Sequence, residues 1–298
     1  MVTFADVICG LGGDSSSPLP LNGVSASTDP RPATVSFVRR WTPQSSALVT
    51  GNPQTLFIVP MEAAGTPGGN LVAVLNPRLA YALAVRDFLQ PVLPATRSPL
   101  AFIADGAELA SGVSVGHFAV IEDGVVVGPG SVIDHHVVLR TGVQIGARTR
   151  IGSHTSIGER GFGFETDDAG RPIRIGHMGG VVIGDDVEIG VHCSIAQGTI
   201  EPTRIHDHVK IDDCVFLAHN VSVGENSFII AGAEISGSVE IGRDVWISPE
   251  VAVIQKMKIG DGALVGIGAV VVKDVEAHSI VAGVPAKKMG DRSDRSVR

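Results

Sequence analysis

The stretch Phe216-Leu-Ala-His-Asn-Val-Ser-Val-Gly224 places one histidine, His219, inside an aliphatic rhythm of six residues. Around it, aliphatic side chains recur at Ile205, Ile211, Leu217, Val223, Ile229, Ile235, Ile241, Ile247, Val253, Ile259, Val265 and Val271. This spacing fits neither a helix, with its period near 3.6, nor an isolated strand, with its period of 2. A six-residue repeat marks a parallel β-helix, in which each hexapeptide supplies one short flat face and three close a triangular coil of about 18 residues.

An earlier register runs through Ile103, Leu109, Val115, Ile121, Val127, Ile133, Leu139, Ile145, Ile151 and Ile157, and Ile183, Ile189 and Ile195 extend it. Between Ile157 and Ile183 the rhythm is interrupted, and from Ile195 to Ile205 the step is ten rather than six, so extra residues bulge out near Glu201-Pro202-Thr203. Together the repeats predict roughly eight coils. Glycine suits corners that need a positive φ, Val and Ile suit the flat faces, and inner aliphatics then stack at the strand spacing of about 4.8 Å.

Of the 298 residues 44% are hydrophobic, 18% charged and only 4% aromatic, and 37 are glycine, which suits a prism too narrow for many rings. The net charge is −8 and no stretch concentrates Lys and Arg, so a nucleic-acid partner is not expected. Three scattered cysteines, Cys9, Cys193 and Cys214, argue against a disulfide framework and agree with a reducing compartment. No apolar run approaches the length of a membrane span, and the first residues carry no basic segment before an apolar core. These features predict a cytoplasmic, untargeted chain.

Before the prism, Phe4, Val7, Ile8 and Leu11 fall at helical spacing after Thr3, with Gly12-Gly13 as a stop. Thr34–Val38, Ala47–Thr50, Leu56–Val59 and Leu71–Leu75 read as strands. Asn76-Pro77 opens a helix to about Leu89, with Leu79, Leu83, Ala80, Ala84 and Phe88 on its apolar face. The expected organisation is an α+β domain over residues 1–98 and a β-helix over 99–276, interrupted at 159–182. Residues 277–298 form a tail containing the Gly283-Val-Pro-Ala-Lys287 turn. The interruption carries Phe162 and Phe164 in a chain poor in rings, with Asp168-Ala-Gly170 as the tip of a hairpin. It reads either as a surface excursion covering its own base or as a wall of a substrate cleft.

Acyl transfer to an amine needs a base to take the proton and a donor to the tetrahedral oxyanion. Imidazole is largely free base at neutral pH, and His219 is the candidate. One coil on lies Gly237, whose N–H would stand about 5 Å along the stack with no side chain blocking a thioester. Asp212 is a candidate to orient the imidazole, although an aspartate after an inner aliphatic is common in this repeat. Asn220 is a candidate substrate contact, and Lys256, two coils above it in the same column, a phosphate or pantetheine contact or a solvated lysine. A corner histidine that merely faces water is the bland alternative for His219.

The Val35-Ser-Phe-Val38 and Asn76-Pro-Arg-Leu-Ala-Tyr81 segments, the Gly161-Phe-Gly-Phe164 loop, Val209-Lys-Ile-Asp212 and Ala218-His-Asn-Val221 together resemble the UDP-3-O-acylglucosamine N-acyltransferase family of lipid A synthesis, over nearly the whole chain. The resemblance implies a left-handed β-helix trimer with its active site between subunits, the histidine of His219-Asn-Val as general base, and an N-terminal domain holding the uridine. Phe37 matches one ring of the family's base sandwich, whereas Trp41 stands at a different offset from the second. Where the family has another histidine, this chain reads Gln255-Lys256-Met257-Lys258. In place of the family's terminal helical extension, Gly266–Asp274 and Val281–Lys287 resemble the closing segment of CoA-dependent sugar acetyltransferases, which implies a donor site at Gly266, Gly283 and Lys287.

These readings predict an N-acyltransferase acting on a nucleotide-linked amino sugar of a cell-envelope glycan, with acyl-CoA as the favoured thioester donor and no tightly bound cofactor. The alternative is the lipid A enzyme itself, using acyl carrier protein. Two other readings remain. His117 with His135, and His136 with His154, are placed to stack, as in the zinc sites of γ-class carbonic anhydrases, although no metal site is expected around His219. A non-catalytic binding or assembly prism is the last.

Overall fold

The computed structural model describes residues 2–67, 69–91 and 94–292, and the chain divides into two compact units, Met1–Leu93 and Pro94–Arg298. The first holds four parallel strands in the order β1 (Gly23–Val24), β2 (Thr34–Phe37), β3 (Thr55–Pro60), β4 (Asn70–Val74). Every residue of β3 is buried, as the continuous apolar run of a covered parallel strand requires. Helix α1 (Phe4–Gly10) is capped by Thr3, whose hydroxyl accepts from Asp6 N while the Asp6 carboxylate accepts from Thr3 N.

Residues 47–50 are helical, not the strand their composition suggested. They belong to α2 (Pro43–Gly51), where Thr42 and Ser45 form a reciprocal cap and Pro43 fills the first turn. Those start signals outweigh a short β-branched run. Helix α3 (Pro77–Ala84) opens at Asn76 as the Asn-Pro pair indicates. It buries Ala80 and Ala84 with Phe88 packed against them, but Leu79 is exposed, so the core face is narrower than the apolar spacing implied.

The second unit is a left-handed parallel β-helix with three flat sheets of two- to five-residue strands. On one face Ile103, Ile121, Leu139, Ile157, Ile195, Leu217, Ile235, Val253 and Val271 are successive register partners. The hexapeptide aliphatics form one continuous core. A fully buried Ile or Leu contributes roughly 1.5–3 kcal/mol, and each coil is supported only by its neighbours. Corner residues adopt the left-handed conformation, among them Asn220 (φ 60) and Lys256 (φ 64); Asn takes it at little cost, whereas Lys is held there by the surrounding rungs.

The interruption is an antiparallel hairpin, Phe164–Thr166 against Pro172–Arg174, with Gly170 at φ 78 in its tip. After it Ile183 pairs with Ile145 as though nothing intervened. The step of ten is absorbed as a bulge before Thr203, whose buried hydroxyl donates to Ala196 O. Residues Ser279–Ala282, placed with the tail on sequence grounds, pair in parallel with Leu264–Val265 and add a rung, against which Lys287–Asp291 runs antiparallel. Among the described residues no helix is long and apolar enough to cross a membrane.

Candidate active site

His219 sits at the corner after Phe216–Leu217 and before Ser222–Val223. The next residue, Asn220, decides its chemistry. Asn220 Oδ1 accepts from Thr199 N at 3.1 Å and Thr199 Oγ1 at 2.8 Å, and its Nδ2 donates to Glu201 O at 2.9 Å. Both ends of the amide are thereby assigned. Oδ1 also lies 3.1 Å from His219 Nδ1, and since that oxygen can only accept, Nδ1 carries the hydrogen and Nε2 keeps the lone pair. Nε2 faces the next coil, where a Cβ on Gly237 would lie 2.7 Å from it. Only glycine leaves that space to a substrate, and Gly237 N–H donates to nothing else among the described residues.

The two meet in a cleft of about 540 Å³ whose lining includes Phe162, Phe216, Ser236, Ile254 and Gln255. Phe162 is 84% exposed, so the loop does not use it to cover its own base. Phe164 does not line the cleft. It stacks on the edge of Phe162 and lies beneath the Arg174 guanidinium, 4.4 Å from its ring centre. At Glu159 and Arg160 the cleft adjoins a polar hollow of about 630 Å³ that also presents Arg140, Thr141, Arg174 and Gln197. There Arg140 is clamped by Glu122 at 2.6 Å and Glu159 at 2.9 Å, and the guanidinium first, with Thr141 N–H, holds the Glu122 carboxyl below the usual range.

The structure reassigns several residues. Asp212 is not beside His219: its carboxylate accepts from Ala231 N at 3.3 Å, on the corner that follows a different face. Asn220 takes the orienting position, and its side chain is committed to the bulge rather than open to substrate. Lys256 shares the His219 edge, but Ile254 and Gln255 are the residues there that line the cleft. Gly266 and Gly283 follow the Leu264–Val265 and Ser279–Ala282 strands, at another corner of the prism from His219, and Lys287 pairs with Ala282. The neighbouring Lys288 is engaged by Glu276 and Asp291, both at 2.9 Å.

In the N-terminal unit Phe37 meets Tyr81, ring centres 4.9 Å apart, in a hollow of about 390 Å³ with Ser25, Ser27 and Arg31. Trp41 packs instead with Val38, Val49 and Phe57. The Asn76-Pro77 helix start carried the signal for Tyr81, because it fixes which side chains of α3 lie one turn on. The stacked histidines extend further than their spacing indicated: Phe118, His136, His154 and His192 form a ladder with ring centres 4.7–5.1 Å apart. Parallel rings point their nitrogens side by side, and among the described residues no three His, Cys, Asp or Glu side chains converge to hold a metal ion.

No family model matches the chain. The UDP-3-O-acylglucosamine N-acyltransferase of Campylobacter curvus is 39% identical over 218 residues, which is 70% of this chain and 69% of that protein. The enzyme of the same name from Methylorubrum extorquens strain PA1 is 38% identical over 131 residues, 44% of this chain, and this match spans only 37% of that relative's length. The UDP-N-acetylglucosamine O-acyltransferase of Moraxella catarrhalis RH4 superposes with a TM-score of 0.62 at 28% identity, over 66% of this chain and 75% of that one.

Proposed function

We propose an activity for this chain, which belongs to the UDP-3-O-acylglucosamine N-acyltransferase family: transfer of an acyl group from a thioester to the amine of a UDP-linked, 3-O-acylated glucosamine. The amine nitrogen attacks the thioester carbonyl while His219 Nε2 takes its proton, and Gly237 N–H donates to the oxyanion. When the tetrahedral adduct collapses, the C–S bond breaks and the departing sulfur takes the proton from His219. The observation that carries this reading is the Asn220 contact that leaves the His219 lone pair facing the cleft. Arg160, which lines both the cleft and the adjoining hollow, suits the acceptor's diphosphate.

Family membership favours acyl carrier protein as the donor over the acyl-CoA that the closing segment suggested, and the placement of Gly266, Gly283 and Lys287 away from the His219 corner weighs the same way. A homotrimer with shared clefts fits the exposed Phe102, Phe118 and Ile267 of the prism.

The test is steady-state turnover of UDP-3-O-acylglucosamine with a long-chain acyl carrier protein and with acetyl-CoA. Turnover with the carrier protein, reduced roughly 10²–10⁴-fold in His219→Ala with acceptor binding intact, supports the reading. Near-full turnover in that variant sinks the base assignment, and turnover with acetyl-CoA alone sinks the donor assignment.

A further inference from the structure

His177 ends the hairpin excursion and takes no part in the transfer described above. The residue is only 7% exposed. Nδ1 lies 3.0 Å from the Ile175 carbonyl, which can only accept, so Nδ1 bears the hydrogen and Nε2 the lone pair. Nε2 is buried and meets no hydrogen-bond partner among the described residues. Protonation would put a buried N–H there with nothing to receive it, at the full desolvation cost of an unsatisfied charged group. Burial, and then the nearby His219 and Arg174, hold this imidazole below its ordinary range against the opposing Ile175 hydrogen bond.

The His177 ring meets that of His219 edge on, with centres 5.0 Å apart and planes at 65°, a favourable aromatic arrangement. Two glycines seal the pair. A Cβ on Gly161 would lie 2.5 Å from His177 Nε2 and 2.9 Å from His219 Cβ, and one on Gly163 would lie 3.0 Å from His177 Cε1. Arg174, whose Nη1 donates to Gly161 O at 3.0 Å, straps the same strip down. Glu159 and Arg160 on this excursion and Glu234 on the prism are the other charged groups lining the cleft. Asn220 restrains His219 through one hydrogen bond at Nδ1, which leaves the two side-chain torsions of the ring a range of settings. The His177 contact narrows that range.

We propose that His177 is a positioning residue for the acyl transfer: its uncharged ring, wedged against His219 under the Gly161-Phe-Gly163 strip, sets the tilt that aims His219 Nε2 at the acceptor amine. The proposal rests on His219 being the base. Misalignment of a catalytic group by about 1 Å costs up to about 100-fold in rate without weakening substrate binding.

The experiment compares His177→Ala, His177→Phe and His219→Ala in the full chain, measuring kcat, acceptor KM and the melting temperature. The expected result is a fall in kcat of about 10- to 100-fold in His177→Ala with acceptor KM unchanged, and recovery to within about threefold of wild type in His177→Phe, which keeps a flat neutral ring. A His177→Ala enzyme with wild-type kcat, or a His177→Phe enzyme as slow as the alanine variant at equal melting temperature, overturns the proposal while leaving the base assignment standing if His219→Ala is inactive. Should His219→Ala turn over normally, both fall together.

Discussion

Asn220 Oδ1 stands 3.1 Å from His219 Nδ1 while also accepting from the Thr199 N–H and hydroxyl. One amide therefore ties the orientation of the base to the bulge that precedes Thr203. Replacing Asn220 with Ala should lower kcat by about 10- to 100-fold. It should also lower stability by about 0.5–1.5 kcal/mol, because the part-buried Thr199 N–H and hydroxyl and the Glu201 carbonyl lose their partner. Steady-state kinetics beside thermal unfolding checks both, and unchanged kcat in a folded variant would contradict the tautomer argument.

Gly237→Ala should fold normally, since the surrounding rungs are untouched, yet be nearly inactive. The added methyl would sit 2.7 Å from His219 Nε2, so the ring must turn away or the acceptor amine must stay out. A loss of about 100-fold or more in kcat/KM with an unchanged circular dichroism spectrum is the expected outcome. Wild-type turnover would show that the reacting atoms lie elsewhere.

The Phe37–Tyr81 contact at 4.9 Å, rather than Trp41, defines the aromatic hollow of the N-terminal unit. Tyr81→Ala should weaken UDP binding by about tenfold, the scale of one lost base–ring contact, as read by calorimetry. Trp41→Ala should instead destabilise the unit and leave UDP affinity unchanged in the folded protein. The reverse pattern would restore Trp41 to the nucleotide.

Cys193 is 2% exposed and its thiol donates to Asp212 O at 3.1 Å. Burial pushes this thiol up to about 11, so it stays protonated and inert at pH 8. Cys9 and Cys214 are exposed. A thiol-disulfide reagent should titrate two cysteines per native chain and all three after unfolding. Rapid labelling of Cys193 in the native protein would mean that the coil opens locally.

The second unit was legible because its constraint is local and repeated. An aliphatic every six residues has to face inward in each rung, and insertions such as residues 159–182 cannot disturb Ile145 pairing with Ile183. The first unit was less legible. Residues 47–50 form a helix although their side chains favour a strand, because a cap five residues upstream decides short segments. Lys256 was correctly placed on the His219 edge by counting in eighteens, but which residue of a corner turns into a cleft depends on side-chain direction, and Gln255 lines it instead.

From the sequence alone, then, follow the prism, the stacking of Gly237 over His219 and the candidate base, all of them consequences of a fixed period. Tertiary structure alone decided the partners. Asp212 lies seven positions before His219 and on another corner, while Thr199 and Glu201, from the bulge, hold Asn220, and His177, from the excursion, meets the His219 ring, all of them outside the six-residue period. Residues outside the period have no register to count from, so the groups that set the tautomer and tilt of His219 are fixed only when those loops pack.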